Sequence, residues 1–194
     1  MTDTFSNPHL AAWDASLASS AAYARRIGGE LSAASMVQRP SWGGWSVGEI
    51  FEHLCVTDGL YEAPLRALLS AKRARTTPQQ SPVWRPTIWG RLLLWSLNPA
   101  NTRKSKSPPA FRLTTTPRAH VVDAWLAQVE TTRALMREAD GVDLRRLTLS
   151  SPAARLIRLN IGDAFAALAV HAERHMGQVR RTIADVTGAL PKGA

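Results

Sequence analysis

The chain has 194 residues, 45% of them hydrophobic, with one cysteine and 24 Lys or Arg against 15 Asp or Glu, a net charge of +9. That length fits one domain with a real core, expected to cover residues 1–194. The composition excludes a disordered chain, a collagen-like chain and a disulfide scaffold.

The polar stretch from Met1 to His9 predicts no signal peptide, and the longest apolar run, residues 164–170, is too short to cross a bilayer. With Cys55 alone, a reducing, cytoplasmic location is expected. The charge is uneven. Residues 63–122 hold eleven Lys or Arg and no acid, while the remainder holds 13 bases and 15 acids. The basic excess therefore belongs to one stretch and not to the whole chain.

Taken in chain order, the first predicted helix covers 8–34. Leu10, Trp13, Leu17, Ala21, Ala24, Ile27 and Leu31 recur at spacings of three and four, which makes one apolar stripe. Gly28 and Gly29 weaken its end. The second begins at Ser46-Val47-Gly48-Glu49, the spacing of a capping box, with Trp45 and Ile50 placed as a hydrophobic staple. It runs toward Arg75 with Ile50, His53, Leu54, Thr57, Tyr61, Leu65 and Leu68 on one side, and Pro64 is expected to kink or interrupt it. Trp42 and Trp45, just before it, are assigned packing roles.

A connection over 76–116 follows, rich in Pro, Trp and Arg, with a short amphipathic helix predicted at 88–97 and loop at 98–109. A connection of this length is usually functional or mobile. The third helix is predicted at 117–139, with Pro117 in its first turn and Asp140-Gly141 ending it. The fourth runs over 160–186, carrying Ile161, Ala164, Phe165, Leu168, Ala172, Val179 and Ile183. No strands are predicted. The expected fold is all-α: an antiparallel four-helix bundle with a long insertion between its second and third helices.

His171 and His175 are four apart, hence about 40° apart on one helix face. That face also carries Leu168, Ala172 and Val179, so both imidazoles point inward. His53 lies in the apolar stripe of the second helix. Three histidines from two helices can thus meet inside the bundle. Neutral imidazoles with an open position suit a catalytic Zn²⁺ and other divalent first-row metals. The alternative is core histidines without a metal. His171-Ala172-Glu173-Arg174-His175 is not H-E-x-x-H, and Glu173, about 200° round from His171, is expected in solvent. Cys55 is read as a small buried apolar residue.

On these residues the chain resembles the DinB/YfiT-like superfamily of metal-dependent bundle proteins. Trp45-Ser46-Val47-Gly48-Glu49-Ile50-Phe51-Glu52-His53-Leu54 looks like that family's first motif, and His171-Ala172-Glu173-Arg174-His175-Met176-Gly177-Gln178 looks like its second. Pro108-Pro109-Ala110-Phe111-Arg112 is similar to a stretch in some members. The resemblance implies that His53, His171 and His175 bind one divalent metal near one end of the bundle, zinc or nickel foremost, with iron, manganese and copper also compatible. It makes Gln178 a group supporting His175; the alternative is an amide bonded to a neighbouring helix. It also implies homodimers, and in some members a low-molecular-weight thiol as co-substrate. The middle segment departs from the family, so the substrate transfers least.

The leading expectation is a metalloenzyme, a hydrolase or a thiol-dependent transferase or isomerase, with a metal-bound hydroxide or thiolate as its reactive group. The alternatives are a non-catalytic metal-binding or stress protein, and membrane-surface binding through 83–98, where Trp84, Trp89 and Trp95 interleave with Arg85 and Arg91. A lid over the pocket or a dimer contact is the reading favoured for that segment over a membrane, with nucleic acid behind both. The basic stretch then makes a small anionic substrate the expected partner.

Overall fold

A computed structural model describes residues 5–71, 83–100, 108–113 and 116–188. The first helix, α1, spans Pro8–Glu30. Asn7 caps it by accepting from the N–H groups of His9 and Leu10. Its predicted stripe is the face it buries, from Leu10 to Ile27. The helix stops short of 34. Leu31 turns extended (φ −87°, ψ 129°), and Ser32 caps a separate short helix, α2 (Ala33–Val37). Two glycines of low helix propensity followed by a good capping serine account for the break.

Helix α3 spans Val47–Ser70 and opens on the predicted capping box. Glu49 N–H donates to Ser46 Oγ at 3.2 Å and Ser46 N–H to Glu49 Oε2 at 2.8 Å. Pro64 lies inside α3 and does not interrupt it. Without an N–H it frees the carbonyl of Leu60, but Leu60 is exposed, so water can serve that group. The predicted extension beyond 71 lies outside the described residues.

Within the long connection, helix α4 covers Ile88–Leu97, as predicted, and a 3₁₀ turn covers Pro109–Phe111. Helix α5 spans Val121–Ala139 and begins later than expected: His120 holds a left-handed conformation (φ 58°, ψ 29°), which leaves Pro117 outside the helix. The segment before it is tied instead by Arg118 to Glu52. After α5 the expectation of an all-helical chain needs correction. Strand β1 (Thr148–Ser151) pairs antiparallel with β2 (Ala154–Asn160), placing Leu149 opposite Leu159. Only two inward leucines mark this hairpin in the sequence, and Leu156 points to solvent, so no alternation signals it. Helix α6 (Ile161–Thr187) follows β2 directly. Asn160 and Asp163 form a second capping box, and left-handed Gly188 closes the helix.

The described fold is therefore mostly helical with a small two-stranded sheet. Helix α1 packs on α5 and α6, and α3 packs on the same two helices. Between them lie Trp125, Phe51, Phe165, Leu17, Ile50 and Leu54, each under 3% exposed. Such side chains are worth roughly 1.5–3 kcal/mol each when fully buried.

Helix α4 is fastened to the start of α6. Thr87 donates to the buried Asp163 carboxylate through its N–H (3.2 Å) and its hydroxyl (2.7 Å), and Trp84 Nε1 donates to Asn160 Oδ1 at 3.0 Å. Further along, Arg174 donates to the carbonyl of Asn98 at 2.9 Å. The two helices thus run alongside each other in the same direction. Gly90 and Gly162 permit the approach: a Cβ on Gly90 would stand 2.2 Å from Asp163 Oδ1, and one on Gly162 would stand 2.1 Å from Trp84 Nε1.

Candidate metal centre

His53 lies two turns into α3, and His171 and His175 occupy successive turns of α6. All three are buried, and the structure brings them together. His53 Nε2 lies 3.3 Å from His171 Nε2, which lies 3.0 Å from His175 Nε2. One ligand atom from each falls within 4.8 Å of the others.

The outer ring nitrogens set the tautomers. His53 Nδ1 is 3.0 Å from the carbonyl oxygen of Phe111, and His175 Nδ1 is 2.9 Å from Gln178 Oε1. Both partners are acceptors, so both Nδ1 atoms carry the proton and both Nε2 atoms turn a lone pair inward. His171 Nδ1 is buried with no partner among the described residues. Either tautomer of His171 therefore leaves a buried ring nitrogen unpaired. A divalent cation would accept all three Nε2 lone pairs at once, and the donor set fits one in number and type. Burial holds His53 and His171 below the usual histidine range, and His175 down at about 3, with charge repulsion among the imidazoles adding to the effect at His171 and His175. Neutral imidazoles are the form that ligates metal.

Gln178 lies one turn beyond His175 on α6, with its Oε1 against His175 Nδ1. Trp45 packs as expected, but against the site itself: its ring lies 4.8 Å from the His53 ring and stacks over His175 at 6.4 Å. Trp42 is half exposed, at 49%. Glu173 is exposed. Cys55 is buried, with its thiol pushed up to about 12 by burial, which leaves it a poor nucleophile or ligand.

Two features escaped the sequence. The carbonyl of Phe111 orients His53, and a backbone oxygen leaves no mark in residue identity. The buried Glu52 is engaged by Arg118, whose hydrogen bonds hold that carboxylate below its usual range. Glu52 adjoins His53 in sequence, yet its charge is spent on Arg118, so it is no free base for the site. The acid–base complement could have been suspected; the partner 66 residues away could not.

A family model for the DinB superfamily matches residues 16–179, a span that holds all three histidines and Gln178. The chain belongs to the DinB superfamily. In DinB terms, the two motifs lie on α3 and α6, and the helices that carry them pack directly against each other. No curated protein and no solved structure matches the chain.

Proposed function

We propose that this DinB-superfamily protein is a divalent-metal-dependent enzyme acting on a small anionic molecule, by hydrolysis or by thiol transfer. The carrying observation is the convergence of three imidazole Nε2 atoms whose outer nitrogens are already bonded at His53 and His175. In this reading α1, α3, α5 and α6 are the four helices of a bundle with the site in its interior. His53, His171 and His175 would hold the ion, with zinc or nickel the first candidates. An ion so held supplies Lewis acidity, which lowers the pKa of a coordinated water or thiol.

The chain's own residues supply the rest. Phe111 and Gln178 fix the ring orientations of His53 and His175, as supporting groups do in metal sites. Trp45 screens the imidazoles on one side. The ligand set carries no carboxylate, so the ion's full charge is available to an anion. Arg174 and Arg181 add a positive field felt at His175.

The test is metal content. The purified protein should carry about one divalent ion per chain, and His53→Ala, His171→Ala and His175→Ala should each lose most of it. Equal metal in the wild type and all three variants would overturn the proposal. Titrating a cobalt-loaded form with a small thiol then separates the two chemistries: a new sulfur-to-metal absorption band marks thiol transfer, and its absence marks hydrolysis.

A further inference from the structure

Helix α4 is apolar on two faces, and the bundle uses only one. Gly90, Leu93, Leu94 and Leu97 turn toward the rest of the molecule. The opposite face presents Ile88 (70% exposed), Leu92 (54%), Trp95 (61%) and, at its edge, Trp89 (45%). These residues are spaced three and four apart, so they form one continuous ridge along the helix. On β2, which packs beside α4, Leu156 is likewise 97% exposed. Contiguous large apolar side chains in water mark an interaction surface.

The charge around the ridge selects the occupant. Arg85 and Arg91 on and beside α4 are exposed, as are Arg155 and Arg158 on β2. Residues 63–122 contain no acid. A second copy on this face would set base against base, so the surface is not self-complementary. Nucleic acid would match the charge and the tryptophans but has no use for Ile88, Leu92 and Leu156. An anionic lipid surface uses both: aliphatic side chains enter the acyl boundary, tryptophans sit at the interface, and flanking arginines meet the headgroups. No helix among the described residues is long and apolar enough to cross a membrane, so the contact is a surface one.

We propose that the outer face of α4, led by Ile88, Leu92 and Trp95, docks the protein on anionic membrane surfaces. Docking there leaves the histidines untouched, since α4 is fastened to α6 through its other face. The site would then work beside a bilayer, where a membrane-borne or membrane-derived anion is concentrated.

The experiment is co-sedimentation of the full chain with phosphatidylcholine vesicles, with and without phosphatidylglycerol. Binding is expected with phosphatidylglycerol at low salt, weakening with added salt and in phosphatidylcholine alone. The double variant Trp89→Ser, Trp95→Ser should bind at least about tenfold more weakly, with unchanged circular dichroism because both side chains already face solvent. Arg85→Glu, Arg91→Glu should weaken binding without moving the salt-independent residue. No binding of the wild type at low salt overturns the proposal. So does binding that the tryptophan variant leaves intact, or a dimer that the same variant converts to monomers while lipid binding is absent.

Discussion

Asp58 is an acid that the fold holds against its ordinary chemistry. It is buried on α3, with Oδ2 accepting from Trp125 Nε1 at 2.9 Å and Oδ1 without a partner among the described residues. Burial raises its pKa from 3.8 to about 7. The sign follows from proton counting. Between about pH 4 and pH 7 the unfolded chain releases this proton while the folded chain keeps it, so stability falls as pH rises through that window and levels off above it. Asp58→Asn keeps an oxygen for the Trp125 N–H and cannot ionise. The variant should gain stability relative to the wild type as pH rises from 4 to 8, by on the order of 1–4 kcal/mol. Urea unfolding at the two ends of that range measures the difference, and a gap that does not change with pH would contradict it.

At the scale of elements, two glycines with the same helix propensity are placed to give opposite results. Gly90 lets α4 reach the Asp163 carboxylate, where a Cβ would stand 2.2 Å away; Gly29, near the end of α1, has nothing within 4 Å. Gly90→Ala should destabilise by about 1–3 kcal/mol through overpacking, despite alanine's better propensity. Gly29→Ala should stabilise by up to about 1 kcal/mol. Thermal unfolding of the two variants side by side checks the contrast, and equal shifts would remove the docking role assigned to Gly90. In the hairpin, Arg158 reaches across to Ser150 and Thr148 on an exposed face.

For the molecule as a whole, the proposed metal binding would link ion and fold. Three Nε2 atoms drawn together in a buried site are better satisfied with an ion than without one, so the ion should stabilise the folded state by mass action. A chelator should lower the melting temperature of the wild type by several degrees and leave His171→Ala unmoved; a wild type insensitive to chelation would break the link. Much of this arrangement was legible in the chain. The stripes of α1, α3, α5 and α6, the capping-box start at Ser46, and the inward direction of the three histidines follow from spacing and capping chemistry, which are local. What spacing does not carry is partnership at a distance. The Phe111 carbonyl, the Arg118–Glu52 pair and the Asp163–Thr87 clasp join residues 58 to 76 apart. No periodicity marks the hairpin, because one of its strands has four residues and the other turns two of its leucines in different directions.

The two bonds that orient the imidazoles differ in kind. Gln178 reaches His175 from the next turn of the same helix, so that bond persists as long as α6 does. Phe111 reaches His53 from a 3₁₀ turn in the connection, outside the packed helices. The outer contacts of the triad are thus unequal: His175 is held from within α6, His53 from a turn in the connection, and His171 Nδ1 by no partner among the described residues. Under the proposed metal binding, loosening that turn would release the His53 ring while leaving the His175–Gln178 bond in place. The rate of ion exchange would then report on the motion of that turn, and not on the opening of the helices.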